Sequence, residues 1–233
     1  MTRDGTRLTI GMVLFPDLTQ LDLTGPYEVF ARLPNTTVHL IAADRNPVRS
    51  ERGLAILPDT TFSKAPQLDV LVVPGGIGVN TMMEHEPLLH FLRERAAHAK
   101  YLTAICTGSL VLGAAGLLRG YRATTHWLSL DLLSLFGAQP VEERVVIDRN
   151  RITGGGITAG IDFALVVAAE LCGEGIAQDI QLMLEYDPEP PFQSGSPKTA
   201  PADVIQRVTT GRKSVQDARR AIAERAAARL RDP

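Results

Sequence analysis

Short apolar runs alternate with amphipathic segments along most of the chain. Runs rich in β-branched and aliphatic residues predict strands buried on both faces, as in a parallel sheet; they lie at 8–15, 37–43, 68–73 and 101–105. Segments with helical spacing of apolar positions follow at 20–30, 82–99, 110–118 and 175–186, and a further helix ends near Cys172. Alternation of this kind is typical of an α/β fold with a mostly parallel sheet.

Other segments interrupt the alternation. Gly53 and Pro58 flank a short apolar stretch, so 46–62 is predicted to form a hairpin-like excursion, and 141–147 should pair with 151–153. Residues 187–201 are rich in proline and cannot be regular structure, so they form a connector after a domain predicted at 1–190. Residues 202–233 then predict an amphipathic helical arm with an arginine-rich outer face, which packs on its own domain or on a second subunit.

Composition narrows the class of protein. With 233 residues, 45% of them hydrophobic, the chain is long enough for one large α/β domain or for two small domains. Its net charge of -2 gives no sign of a nucleic-acid partner. Cys106 and Cys172 lie in unlike surroundings, which favours a reducing compartment over a disulfide scaffold. The polar N-terminus does not resemble a signal peptide, and no apolar run approaches the length of a membrane span. We therefore expect a cytoplasmic protein with no membrane or nucleic-acid partner.

Cys106 stands where the apolar run 101–105 ends and a helix begins at once, which predicts a strand, a sharp turn and a helix. Unpaired N–H groups and the positive end of the helix dipole favour a negative charge there, and helix N-termini lower the pKa of cysteine. Cys106 is therefore the candidate nucleophile. The alternative is a small hydrophobic residue buried at the end of a core strand.

Three other places contribute candidates. Asp22 lies in the loop at the carboxyl end of the first strand, just before a helix with Pro26 in its first turn, and is either a catalytic acid or a helix cap. Gly75 and Gly76 form either an oxyanion-type donor site or a purely structural turn. His126 could reach the site or could be a hydrogen-bonded core residue. The remaining histidines of 85–98 lack metal-ligand spacing, so no metal is expected.

Four motifs together resemble the ThiJ/PfpI superfamily over residues 8–190: Pro-Gly-Gly at 74–76, Ala-Ile-Cys-Thr-Gly at 104–108, Ala-Thr-Thr-His-Trp at 123–127 and Gly-Gly-Gly-Ile-Thr-Ala-Gly-Ile-Asp at 154–162. The resemblance implies a glutamine-amidotransferase-like (flavodoxin-like) three-layer α/β sandwich and a homodimer with active sites near the subunit interface. It also implies that Cys106 is the nucleophile on an elbow, that Asp22 is the acid beside it, and that Thr107 supplies a backbone N–H and a hydroxyl.

One departure from the superfamily affects the expected activity. Amidase- and protease-like members carry histidine directly after the cysteine, where this chain has Thr107, which weakens a peptidase interpretation. Segments 20–26, 106–118 and 184–192 resemble members that hydrate isonitriles. That resemblance implies, without a cofactor, addition of water to a small hydrophobic isonitrile through a Cys106 thioimidate to give an N-substituted formamide.

Alternative functions remain. They are another cysteine-dependent hydrolase, a glyoxalase-like enzyme, and a redox sensor or regulatory module. Regulators with a similar domain carry a helix-turn-helix pair, for which the residues after the connector are too few.

Overall fold

A seven-stranded sheet runs through the centre of the computed structural model, which describes residues 7–230. The polar N-terminal residues 1–6 and residues 231–233 of the predicted arm lie outside the described residues. The strands, in spatial order, are β10 (Val145–Asp148), β11 (Arg151–Gly154), β7 (Tyr101–Ile105), β6 (Val70–Val73), β1 (Leu8–Val13), β2 (Thr36–Ala42) and β5 (Thr60–Thr61). Neighbours are parallel except for the β10–β11 pair.

Helices cover both faces of the sheet. One group consists of α1 (Gln20–Phe30), α5 (Ala159–Cys172) and α6 (Glu174–Met183), which pack on one another. The other group consists of α2 (Val79–Met82), α3 (Glu86–Ala96), α4 (Gly108–Ala114), a 3₁₀ helix (Trp127–Phe136) and α7 (Ala202–Arg229). The α/β sandwich with a mostly parallel sheet is therefore confirmed.

The central strand order β2-β1-β6-β7-β11 is that of a doubly wound, flavodoxin-like sheet. The chain leaves β1 toward β2 and later returns to the other side of β1 as β6, so the order reverses between β1 and β6. Ligands of such sheets bind beyond the carboxyl ends of the strands at this reversal. The segments that carry Asp22, Gly75 with Gly76, and Cys106 follow β1, β6 and β7, respectively, at that edge.

Small two-stranded sheets lie outside the main one. The predicted hairpin is confirmed as β3 (Val48–Arg49) paired antiparallel with β4 (Ala55–Ile56). A second small sheet pairs β8 (Arg122–Ala123) with β9 (Gln139–Pro140), and the 3₁₀ helix between these two strands was not predicted.

The start of α1 differs from the prediction. The helix begins at Gln20, so Asp22 lies in its first turn rather than in a preceding loop, and Pro26 lies inside the helix rather than in its first turn. The early start follows from pairing of the preceding segment: the Thr19 N–H donates to the Gly75 carbonyl, and the Thr19 carbonyl accepts from the Asp22 N–H. In residues 7–230 no helix is long and apolar enough to cross a membrane.

Candidate active site

The turn between β7 and α4 places Cys106 in a left-handed backbone conformation, which residues other than glycine rarely adopt. Its φ of 52° lies in the left-handed region, while its N–H donates to the Gly154 carbonyl (3.1 Å) and its carbonyl accepts from the Thr125 hydroxyl (2.7 Å). A side chain at Gly108 would come within 2.2 Å of the Val73 carbonyl oxygen. Only glycine at this position therefore lets α4 approach the end of β6 so closely. These contacts form the predicted elbow.

Asp22 is fully buried beside Cys106. Its Oδ2 accepts the Gly75 N–H (2.9 Å), while Oδ1 has no hydrogen-bond partner among the described residues. Burial raises the pKa of Asp22 to about 7, against the opposing effects of the Gly75 N–H and the Cys106 thiol. An oxygen without a donor and a pKa near neutrality suit a group that takes up and releases a proton.

Gly75 and Gly76 hold the neighbouring groups in place. The Gly76 N–H donates to Thr107 Oγ1 (3.1 Å), just as the Gly75 N–H donates to Asp22. A side chain at Gly75 would lie 2.7 Å from Asp22 Oδ2 and 2.7 Å from the Thr107 nitrogen. Since both amides are already engaged inside the protein, they are not free to act as an oxyanion site, and positioning of Asp22 and Thr107 is the role that their contacts support.

The thiol of Cys106 does not show the lowered pKa expected at a helix N-terminus. Burial first, and the charge of Asp22 second, raise its pKa well above the ordinary value; the Thr107 N–H and the charge of Arg219 act in the opposite direction. The helix terminus contributes as expected, but desolvation is the larger effect. The resting pair therefore holds one proton on sulfur while Asp22 titrates near neutral pH.

His126 reaches the same cavity from the segment before the 3₁₀ helix. Its Nδ1 accepts the Leu128 N–H (3.3 Å), so the neutral ring carries its proton on Nε2. Burial and the charges of Arg219 and Arg212 lower the pKa of His126 to about 4. It is therefore a neutral donor at physiological pH and not an imidazolium.

A cavity of about 180 Å³ opens above Cys106. Its walls combine apolar side chains with polar and charged ones, so it is not a purely apolar pocket. The lining residues are Thr19, Glu51, Gly76, Ile77, Cys106, Thr107, His126, Trp127, Leu128, Ile157, Val208, Arg212, Val215, Gln216 and Arg219. The last five belong to α7, which thus forms one wall of the site.

The structure therefore brings together the six residues proposed from the sequence, which are Asp22, Gly75, Gly76, Cys106, Thr107 and His126. It adds α7 to the site, a helix for which the sequence predicted only an arginine-rich outer face. Arg219 in particular points inward and is 5% exposed. Its spacing of four residues from Val215 and from the buried Ala223 was the signal that could have identified it. Among the described residues no group of three or more histidine, cysteine, aspartate and glutamate side chains could hold a metal ion.

The chain is similar to known proteins over most of its length. The DJ-1/PfpI family matches residues 9–170. Isonitrile hydratase of Pseudomonas putida is 57% identical over 223 residues, which cover 96% of this chain and 98% of that protein. The crystal structure of a ThiJ/PfpI family protein from Pseudomonas syringae superposes with a TM-score of 0.92 at 46% identity, covering 94% of this chain and 91% of that one. The HTH-type transcriptional regulator GbdR of Pseudomonas aeruginosa is 32% identical over 77% of this chain, which spans about half (51%) of that regulator.

Proposed function

Because the chain belongs to the DJ-1/PfpI family, we propose that it hydrates isonitriles, adding water to the terminal carbon and releasing an N-substituted formamide. Its 57% identity with the P. putida isonitrile hydratase over 96% of this chain supports this activity. The structural observation that carries the proposal is the buried pair of Asp22 and Cys106, in which a carboxyl group of pKa about 7 neighbours the sulfur.

The first step forms a thioimidate. The Asp22 carboxylate takes the proton from the Cys106 thiol, the sulfur attacks the terminal carbon of R–N≡C, and Asp22 returns that proton to the same carbon. One S–C bond and one C–H bond form, and the product is R–N=CH–S–Cys106. The unpaired Oδ1 of Asp22 can carry this proton because no other described donor occupies it.

Water completes the reaction. It adds to the thioimidate carbon while its proton passes to the nitrogen through Asp22, giving R–NH–CH(OH)–S–Cys106. Asp22 then accepts the hydroxyl proton as the C=O bond forms and the C–S bond breaks, which releases R–NH–CHO and the thiolate. Transfer of that proton from Asp22 to sulfur restores the starting pair, so the sum is one isonitrile and one water consumed per formamide.

Other side chains prepare the cavity for this chemistry. Thr107, held by the Gly76 N–H, keeps its own backbone N–H toward the sulfur, and neutral His126 offers a donor without adding charge. The cavity of about 180 Å³ favours small substituents on the isonitrile.

Formamide production from a simple alkyl isonitrile tests the proposal. The parent protein and Cys172→Ala, which changes the other free cysteine, should both make formamide, whereas Cys106→Ala and Asp22→Ala should lose at least about a thousandfold in kcat. Turnover of methylglyoxal or an acyl amide without turnover of isonitriles would instead establish one of the alternative enzyme activities. Undiminished activity of Cys106→Ala would refute the covalent mechanism.

We also propose that the protein works as a homodimer in the cytoplasm. Exposed apolar side chains on and after α6, namely Leu182, Met183 and Phe192, support a subunit contact, and the free thiol of Cys106 suits a reducing compartment. Light scattering on the eluting protein would give a mass of one or two chains, and cell fractionation would locate it.

A further inference from the structure

The guanidinium group of Arg219 is buried in the wall that α7 contributes to the cavity. Its Nε donates to Asn80 Oδ1 (2.8 Å), its Nη1 to Ser129 Oγ (3.1 Å) and its Nη2 to the Gly76 carbonyl (3.3 Å). Three elements therefore fix its orientation: α2, the 3₁₀ helix and the turn after β6. These three hydrogen bonds hold the guanidinium group in one orientation beside the cavity.

All three acceptors are neutral. No carboxylate of the described residues lies within ion-pair distance of Arg219, whereas Arg220, Arg225 and Arg229 of the same helix are paired with Asp131 or Glu84. A buried cation without a counter-ion is costly unless a negative charge forms nearby. Burial lowers the pKa of Arg219; negative charge on Cys106 acts in the opposite direction, as does Glu51, while the charge of Arg212 adds to the lowering.

We propose that Arg219 is a positioning residue that supports negative charge on the Cys106 sulfur during turnover and fixes the Gly76 peptide that holds Thr107. This inference rests on the proposed hydration reaction. The charge matters at two moments: when Asp22 has taken the thiol proton and sulfur attacks carbon, and when the C–S bond breaks and its electron pair returns to sulfur. In both, a fixed cation in the wall of the cavity that Cys106 also lines stabilises the thiolate without reorganising.

The contacts of α7 make the inference testable, because the helix has other anchors. Arg220 pairs with Asp131, and Arg225 and Arg229 both pair with Glu84, so the helix keeps these contacts when Arg219 is changed. Arg220→Gln is a matched control: it removes one arginine from the next position of the same helix and breaks an exposed ion pair, but it leaves the cavity intact.

Alkylation of Cys106 by iodoacetamide measures thiolate formation without an isonitrile. The rate is followed at about pH 8 by mass spectrometry of the peptide containing Cys106, which separates it from Cys172, and circular dichroism checks the fold. We expect Arg219→Gln to slow alkylation about tenfold or more, Arg219→Lys to stay within about threefold of the parent, and Arg220→Gln to match the parent. In turnover, Arg219→Gln should lower kcat about tenfold with a smaller change in KM.

Alkylation of folded Arg219→Gln at the parent rate would overturn the proposal. If Arg219→Gln does not fold, Arg219→Lys decides, since a folded lysine variant that reacts about tenfold more slowly also overturns it, and one that reacts at nearly the parent rate supports it. A slowed Arg219→Gln in a protein that makes no formamide would refute the hydration reaction while leaving the effect of Arg219 on the thiolate established.

Discussion

Replacing Asp22 by asparagine should stabilise the folded protein above neutral pH, although it removes the carboxyl group that we propose transfers protons during turnover. Burial raises the pKa of Asp22 from its ordinary value of 3.8 to about 7, so the folded state binds this proton more tightly than the unfolded state does. The stability contributed by that proton is fully present below pH 3.8 and is lost as the pH rises to about 7. Asparagine has the same shape and no charge to bury.

The expected magnitude follows from the two pKa values. At about 1.4 kcal/mol per pKa unit, a shift from 3.8 to about 7 corresponds to about 4 kcal/mol in the free energy of unfolding. From about pH 4 to about pH 8 the variant should therefore gain between about 3 and 4 kcal/mol relative to the parent, because part of the titration lies below pH 4. In acid the two proteins should differ little.

Urea unfolding followed by far-UV circular dichroism at about pH 4, 6 and 8 measures this difference. Asp179→Asn, an exposed change on α6, is the control and should stay within about 0.5 kcal/mol of the parent at every pH. If Asp22→Asn tracks the parent with the same difference at all three pH values, the carboxyl group is not shifted by burial and the argument for its proton transfers fails.

Three further results are expected. In the acid range kcat/KM for an isonitrile should rise with pH to a plateau with an apparent pKa of about 7, because Asp22 must be ionised to accept the Cys106 proton; a plateau already reached at about pH 5 would contradict this. Gly75→Ala should cut kcat more than about tenfold, since its methyl group would lie 2.7 Å from Asp22 Oδ2, whereas Gly175→Ala on the open surface of α6 should keep kcat and gain about 0.5–1 kcal/mol in thermal unfolding assays. Thr125→Val should cost about 1–3 kcal/mol in urea unfolding because the Cys106 carbonyl loses its donor, and a change below about 0.3 kcal/mol would show that the elbow does not depend on it.

Sequence patterns predicted the sheet and the elbow because both depend on local signals. The apolar runs gave the main strands, and the sharp change at Cys106 gave the turn. Hydrogen bonds between residues far apart in the sequence could not be predicted from local patterns. The Thr19 N–H pairs with the Gly75 carbonyl, which starts α1 early and places Asp22 on the helix instead of before it.

The pKa values of Cys106 and Asp22 could also not be predicted without the folded structure. A helix N-terminus lowers a cysteine pKa in isolation, but the sequence does not show that Cys106 is buried against a carboxyl group, and burial is the larger effect. Arg219 illustrates the same limit: arginine on an amphipathic helix is usually solvent-exposed, and only the packing of α7 on the 3₁₀ helix turns this one inward.

The cavity is built from two parts of the chain. Asp22, the Gly75–Gly76 turn and Cys106 belong to the stretch matched by the DJ-1/PfpI family, which ends at residue 170, whereas the wall formed by α7 lies beyond it. Val208 and Val215 are two turns apart on that wall, and both line the cavity. In laboratory evolution toward bulkier isonitriles, the first substitutions should therefore occur at these two positions. They would change the shape of the cavity while Cys106 and Asp22 stay unchanged.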